Sequence, residues 1–321
     1  MRFGLPSAVR GIPGVGYVIH WAMAAACNTG AGNAKHNNIS WSMIRLDIHA
    51  SKVSLVGDFP SRALEYNDEA IANVDVDCSG HAVDSNCLRR NHHMESRWRN
   101  TPGDYLCTID EICRRESTAR FSFHGHGDDI QNFQYTGVHR MWPQAIVVYF
   151  QGLPSRDGLS GWQVEKGEYN DRDLKLVDAA LASLRGRFKI DDTRIYATGF
   201  SNGANFTYLL WAERPGLFAA YAPVAARLRS SVHLTQPKPL FHIAGIQDSQ
   251  IPFADQKSAI EIARRVDGVT GEGASCGNGC TVYGANTANP VMTWIHAGGH
   301  EYPPSTSERI VKFFRDHSLR P

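Results

Sequence analysis

The stretch Thr193–Glu213 constrains the chain more than any other. Arg194-Ile-Tyr-Ala-Thr198 reads as a short buried strand, Gly199-Phe-Ser-Asn-Gly203 as a sharp turn, and Asn205–Ala212 as a helix. A serine held at a strained strand-to-helix turn needs neighbours without a Cβ, so that the chain can bend and the helix can pack closely. That turn lifts the Ser201 hydroxyl to the top of a sheet. It also aims a helix N-terminus at any negative charge forming beside it.

If Thr193–Glu213 is one strand–helix unit, the flanking chain must supply others, and it does. Ala119–Phe123 is a short strand entering His124-Gly-His-Gly127, and Ala145–Phe150 is an apolar, β-branched run of the kind buried on both faces of a parallel sheet. Asp171–Phe188 is amphipathic, with Leu174, Val177, Leu181 and Leu184 on one stripe and Asp171 placed to cap its start. Phe218–Val224, Pro239–Gly245 and Pro290–His296 read as strands, and Phe253–Val266 and Ser305–His317 as helices. The alternation predicts an α/β fold with a doubly wound, mostly parallel sheet. Trp211 and Trp294 fall at core positions.

In such sheets the chemistry sits beyond the carboxyl ends of the strands. Asp248 is the first acid past the strand ending at Gly245, and His300 follows Ala297-Gly-Gly after the last strand. A serine hydroxyl needs a base to take its proton, and the base needs a carboxylate to hold its tautomer. Ser201, Asp248 and His300 therefore read as nucleophile, orienting acid and base, in the chain order of α/β-hydrolases. Asp255 is the rival acid, set back within the helix, and Glu301 points away from the base. The tetrahedral intermediate needs backbone N–H donors. Asn202, after the nucleophile, supplies one, and the backbone of His126 in the glycine-rich loop supplies the other. The same loop carries a second reading, since His124-x-His126-x-Asp128 is similar to a zinc motif of metallohydrolases, but Asp129 stands where the motif has a histidine.

Charge excludes other classes. The 321 residues carry 33 basic and 32 acidic side chains with no basic block, so nothing points to nucleic acid or an anionic membrane surface. No run reaches the roughly 18 apolar residues of a membrane-spanning helix.

Residues 1–103 are poorly patterned and are taken as an N-terminal extension, with residues 104–321 as the catalytic domain. Only Met43–Phe59 alternates like strands, and His92–Arg99 is polar and His-rich. Arg2 and Arg10 ahead of a small-residue run ending at Cys27 form a weak export signal over residues 1–27, interrupted by Gly, Pro and His20; ordinary coil is the other reading. Seven cysteines fall into the near pairs Cys276/Cys280, Cys107/Cys113 and Cys78/Cys87, leaving Cys27 for processing or lipidation. Six paired cysteines suit an oxidising compartment, and free thiols in a cytosolic protein are the alternative.

With these residues in hand, residues 104–321 resemble the polyhydroxybutyrate depolymerase and feruloyl esterase group of α/β-hydrolases. The resemblance rests on Phe123-His-Gly-His-Gly127, Val147–Pro154, Gly161-Trp-Gln163, Arg194–Gly203, Phe218–Val224, Asp248-x-x-Ile-Pro-Phe253 and Gly298-Gly-His-Glu-Tyr-Pro303. It implies a cofactor-free, secreted or periplasmic, monomeric serine esterase acting on hydroxyalkanoate oligomers or on feruloyl and acetyl esters. It also implies that Trp162 lies near the substrate as a wall of the acyl or alcohol pocket; a core tryptophan is the other reading. A non-catalytic exported binding protein on the same fold is the reading from another class.

Overall fold

The computed structural model describes residues 116–142 and 144–319, together with the backbones of three strands, β1 (Tyr17–Ala25), β2 (Ser40–His49) and β3 (Lys52–Phe59). The order from there is β4 (Ser117–Phe123), α1 (Ile130–Gln134), α2 (Val138–Met141), β5 (Ile146–Phe150), the two-residue strands β6 (Leu153–Pro154) and β7 (Ser160–Gly161), α3 (Arg172–Arg185), β8 (Ile190–Phe200) and α4 (Asn202–Glu213). Then come β9 (Ala220–Val224), β10 (Leu240–Gly245), α5 (Phe253–Val266), β11 (Ala274–Gly277), β12 (Cys280–Tyr283), β13 (Val291–His296) and α6 (Thr306–Arg315).

The main sheet runs β11-β12-β13-β10-β9-β8-β4-β5-β1-β2-β3. Its centre, β5-β4-β8-β9-β10-β13, is parallel throughout, and antiparallel strands extend both edges. This is an α/β-hydrolase fold. After β5 the chain crosses back beneath β4 to form β8, then steps outward through β9, β10 and β13. The direction of winding therefore reverses between β4 and β8, which opens a crevice beyond their carboxyl ends.

Both faces of the sheet are covered, as the apolar β5 run requires. Ile146, Val148 and Phe150 pack with α3, α4 and α5 on one side, while Val147 and Tyr149 face α1 and α2 on the other. The α3 stripe of Leu174, Val177, Leu181 and Leu184 is buried, and α6 buries Ile310, Val311, Phe313 and Phe314 against β10. Trp211 is fully buried and Trp294 nearly so.

One local expectation changes. Asp171 stands ahead of α3, yet its carboxylate does not cap the helix; it turns back to accept from the Gly167 N–H and from Gln163 Nε2. It does so within a left-handed turn in which Tyr169, Asn170 and Asp171 have φ of 48°, 58° and 55°. Such angles cost about 1–3 kcal/mol per non-glycine residue and persist only where surrounding contacts fix them. At the N-terminal edge β1 pairs antiparallel with β5 and brings β2 and β3, which overlap the alternating stretch Met43–Phe59, into the sheet. The 103/104 boundary, His92–Arg99, Cys27, Cys78, Cys87, Cys107 and Cys113 lie outside the described residues. Cys276 and Cys280 form a disulfide across the β11–β12 turn.

Candidate active site

Ser201 is the link between β8 and α4, with φ 53° and ψ −115°. Its N–H donates to the Val224 carbonyl at the end of β9 (2.9 Å), and its own carbonyl takes the first helical bonds, from Ala204 and Asn205. The glycines have distinct reasons. A Cβ on Gly199 meets the Gly203 backbone, and one on Gly203 meets the carbonyl oxygens of Phe123 and His124. Helix α4 thus rests directly on the carboxyl end of β4 and keeps Ser201 at the crevice.

The other two residues arrive from the ends of β10 and β13. Ile246 N–H donates to the His296 carbonyl and Gln247 N–H to the Gly298 carbonyl, which ties the two loops together. A Cβ on Gly245 overlaps the carbonyl oxygens of Gly298 and Gly299, so the chain before His300 passes in backbone contact with the end of β10. The structure brings all three predicted residues into one hydrogen-bonded run. Ser201 Oγ lies 2.8 Å from His300 Nε2, and His300 Nδ1 lies 2.9 Å from Asp248 Oδ2. Because a carboxylate only accepts, Nδ1 carries the proton, and Nε2 is left to accept from Ser201. The Asp248 side chain is fully buried and the His300 side chain 8% exposed. Asp248 Oδ1 accepts from the N–H groups of Gln250 and Ile251 at 2.9 and 2.8 Å.

The rivals stand apart. Asp255 lies in the first turn of α5, about half exposed and 4.0 Å from Arg227. Glu301 is exposed, and its nearest base is His296, at 3.6 Å. Burial pushes His296 below the ordinary imidazole range, with Glu301 and Asp248 opposing.

Asn202 begins α4, so its N–H is one of the first-turn donors a helix leaves unused. Its side chain clamps the loop opposite: Oδ1 accepts from the Trp162 N–H (2.7 Å) and Nδ2 donates to the Trp162 carbonyl (3.1 Å). The His126 N–H lies in the loop after β4 and donates to no backbone carbonyl among the described residues. Gly125 approaches the Ser201 Cβ closely enough for van der Waals contact with an added methyl. The His126 ring meets Asp157 at 2.7 Å, holding that exposed carboxyl below its usual range.

Trp162 borders a cleft beside Asn202, and its side chain also takes the core position of the other reading. Its ring is 2% exposed, stacks on Phe206, meets Phe123 edge-on and donates to the His124 carbonyl. The indole is a core group; what it brings to the site is its backbone, held by Asn202. His124 is also accounted for. Nδ1 donates to the Gly125 carbonyl and Nε2 accepts from the Gly152 N–H. Burial lowers its basicity, and neither nitrogen presents a free lone pair to a metal.

Sequence reasoning missed Gln256, which donates to Asp248 Oδ2 at 3.0 Å from within α5. No spacing signal marks it, because a buried helical glutamine looks like any other. Beside Asn202 and Trp162 lies a cleft of about 290 Å³, lined also by His126, Ser155, Asp157, Tyr169 and Arg229.

No protein-family model matches the chain. It is 27% identical over 139 residues to the bifunctional acetylxylan esterase/xylanase XynS20E of Neocallimastix patriciarum, covering 41% of this chain and 19% of that protein. Over 222 residues it is 27% identical to NocK of Nocardia uniformis subsp. tsuyamanensis, named as an esterase, covering 57% and 64%. Over 189 residues it is 27% identical to a protein of Aspergillus niger named as feruloyl esterase C, covering 56% and 64%. The chain thus spans less than two thirds of each of these relatives. Among solved structures, the Bacillus cereus carboxylesterase is similar at a TM-score of 0.49 and 16% identity, covering 62% of this chain and 88% of that one.

Proposed function

We propose that the chain is a serine carboxylic-ester hydrolase. The observation that carries this reading is the unbroken Ser201–His300–Asp248 hydrogen-bond run, joined to a helix N-terminus. Ser201 attacks the acyl carbon while His300 Nε2 takes its proton, and Asp248 holds the imidazole and balances the imidazolium that forms. The Asn202 and His126 N–H groups receive the oxyanion. His300 then gives the proton to the leaving alcohol; in the second half it takes a proton from the attacking water and returns it to Ser201 Oγ as the acyl–oxygen bond breaks and the acid leaves.

Ser201→Ala is expected to abolish hydrolysis of p-nitrophenyl butyrate while leaving the melting temperature unchanged; retained turnover refutes the assignment. The base accepts a proton only when neutral, so the rate is expected to rise with pH across the acid range, and a flat rate between about pH 5 and 8 contradicts a histidine base. Ser201 is also expected to take up a fluorophosphonate probe. A folded protein that fails to label favours a non-catalytic binding protein on this fold.

For substrate we propose hydroxyalkanoate oligomers or feruloyl and acetyl esters. The relatives named for acetylxylan and feruloyl esters support the second class. The polar lining of the cleft beside Asn202 suits a hydroxylated substrate better than a long acyl chain. A panel of hydroxybutyrate oligomers, methyl ferulate, acetylated xylan and p-nitrophenyl palmitate separates these; a preference for palmitate overturns the proposal. We place the protein in an oxidising, exported compartment, a reading supported by the Cys276–Cys280 bond.

A further inference from the structure

Asp248 Oδ2 receives two donors, one from the loop after β13 and one from α5. One is His300 Nδ1. The other is Gln256 Nε2, which also donates to the Ile251 carbonyl at 2.8 Å. Both of these partners only accept, so the amide nitrogen must face them and the amide oxygen must face away. That oxygen lies 3.4 Å from His242 Nε2, in a weak contact in which the ring nitrogen must be the donor. His242 Nδ1 then accepts from the Tyr208 hydroxyl, 2.7 Å away. Gln256 and His242 are fully buried and Tyr208 nearly so.

The run closes on itself. Tyr208 lies on α4, the helix that Ser201 begins, so the path Ser201–His300–Asp248–Gln256–His242–Tyr208 starts and ends on one element. Asp248 and His242 flank the end of β10, and Gln256 is the single link from α5. Every proton in the run points toward Asp248, whose charge sets the direction from both ends.

We infer that Gln256 is a positioning residue for this site: it fixes which carboxylate oxygen Asp248 turns to His300 and tempers the negative charge that His300 meets. The inference rests on the reading of Ser201, His300 and Asp248 as ester-hydrolysing machinery. Without the Gln256 donor, Asp248 Oδ2 has His300 as its one remaining side-chain donor and can rotate about its Cβ–Cγ bond. Its less shared charge then favours the imidazolium, so the acid limb of the pH–rate profile moves to higher pH. The other titratable groups around the pair are His242 on β10, Tyr208 on α4, His296 at the end of β13, and Glu301 and Tyr302 on the His300 loop. Asp255 and Lys257 flank Gln256 on α5, and Arg227 faces Asp255.

The experiment begins with the wild-type chain and Ser201→Ala on p-nitrophenyl butyrate. Absence of a Ser201-dependent rate refutes the esterase reading, whatever Gln256 does. With that rate established, Gln256→Met and Gln256→Leu each remove the donor and leave an apolar side chain of similar size. Both are expected to lower kcat by roughly 10- to 100-fold with KM little changed. Both are also expected to move the acid limb upward by roughly half to one pH unit. A role confined to packing lowers the melting temperature without moving the limb. An unmoved limb in the variants that fold overturns the inference. Failure of both variants to fold overturns it too, by assigning Gln256 to the core alone.

Discussion

At Gly203 there is no room for one methyl group, because the carbonyl oxygens of Phe123 and His124 occupy the space. Gly203→Ala is therefore expected to push α4 off the end of β4, costing about 1–3 kcal/mol as overpacking and removing most ester turnover with it. Gly216 has nothing within 4 Å of its Cβ position and no left-handed φ, so Gly216→Ala is the control, with an unchanged or slightly raised melting temperature. Equal losses in the two variants contradict the close-approach account. The same scale shows what a motif hides. That Gly199-Phe-Ser-Asn-Gly203 makes a turn is legible from its letters, but the Asn202 side chain clamping Trp162 across 40 residues is not. Trp162 borders the cleft as the resemblance implies, while its ring packs in the core because Phe123 and Phe206 offer it a dry face.

Among the elements, α5 carries an electrostatic load at its end. Asp267 caps its C-terminus, where the helix dipole already disfavours an anion. Burial pushes its carboxyl up to about 8, the Lys238 N–H opposing, and Oδ2 has no partner among the described residues. A carboxyl whose folded value lies above its unfolded one keeps a proton that the unfolded chain has lost. Stability therefore falls as pH rises from about 4 to about 8 and levels off beyond. Asp267→Asn keeps an acceptor for Lys238 and has no charge to bury. Its melting temperature is expected to exceed that of the wild type by a margin that widens through that window, and a margin independent of pH contradicts the assignment. His242 and His139 act in the opposite sense, both held near 4 chiefly by burial, and they remove stability as pH falls from about 6.5 toward 4. The helices themselves were legible in the sequence because their apolar stripes repeat locally, as in α3. The turn before α3 was not, because Asp171 chose Gln163 and Gly167 over the helix N–H groups, and both choices look alike in sequence.

Over the whole molecule, the sheet has two edges of different kinds. The β11–β12 edge is short, and the Cys276–Cys280 bond closes its turn. A loop this small restricts the unfolded chain little, so replacing both cysteines by serine is expected to cost at most about 2 kcal/mol. The backbone pairing of β12 with β13 holds the end of the sheet, and ester turnover is expected to survive; a larger loss, read as the melting temperature with and without reductant, contradicts this. The other edge is built by β1–β3. Its pairing joins Trp21 to Val148, more than a hundred residues apart, and no local pattern announces such a partner.

Local chemistry written in the chain settled the parallel centre of the sheet, the turn at Ser201 and the placing of Ser201, Asp248 and His300 just beyond strand ends. Periodicity and backbone freedom act over a few residues, and strand ends are where an α/β sheet exposes its loops. Folding in three dimensions decided the rest. It determined which donors hold Asp248, where the Trp162 ring goes, that His124 spends both nitrogens on the backbone, and that the Ser201 helix returns through Tyr208 to its own active site. Each depends on contacts between residues distant in sequence, whose energies exist only once the sheet has brought them together.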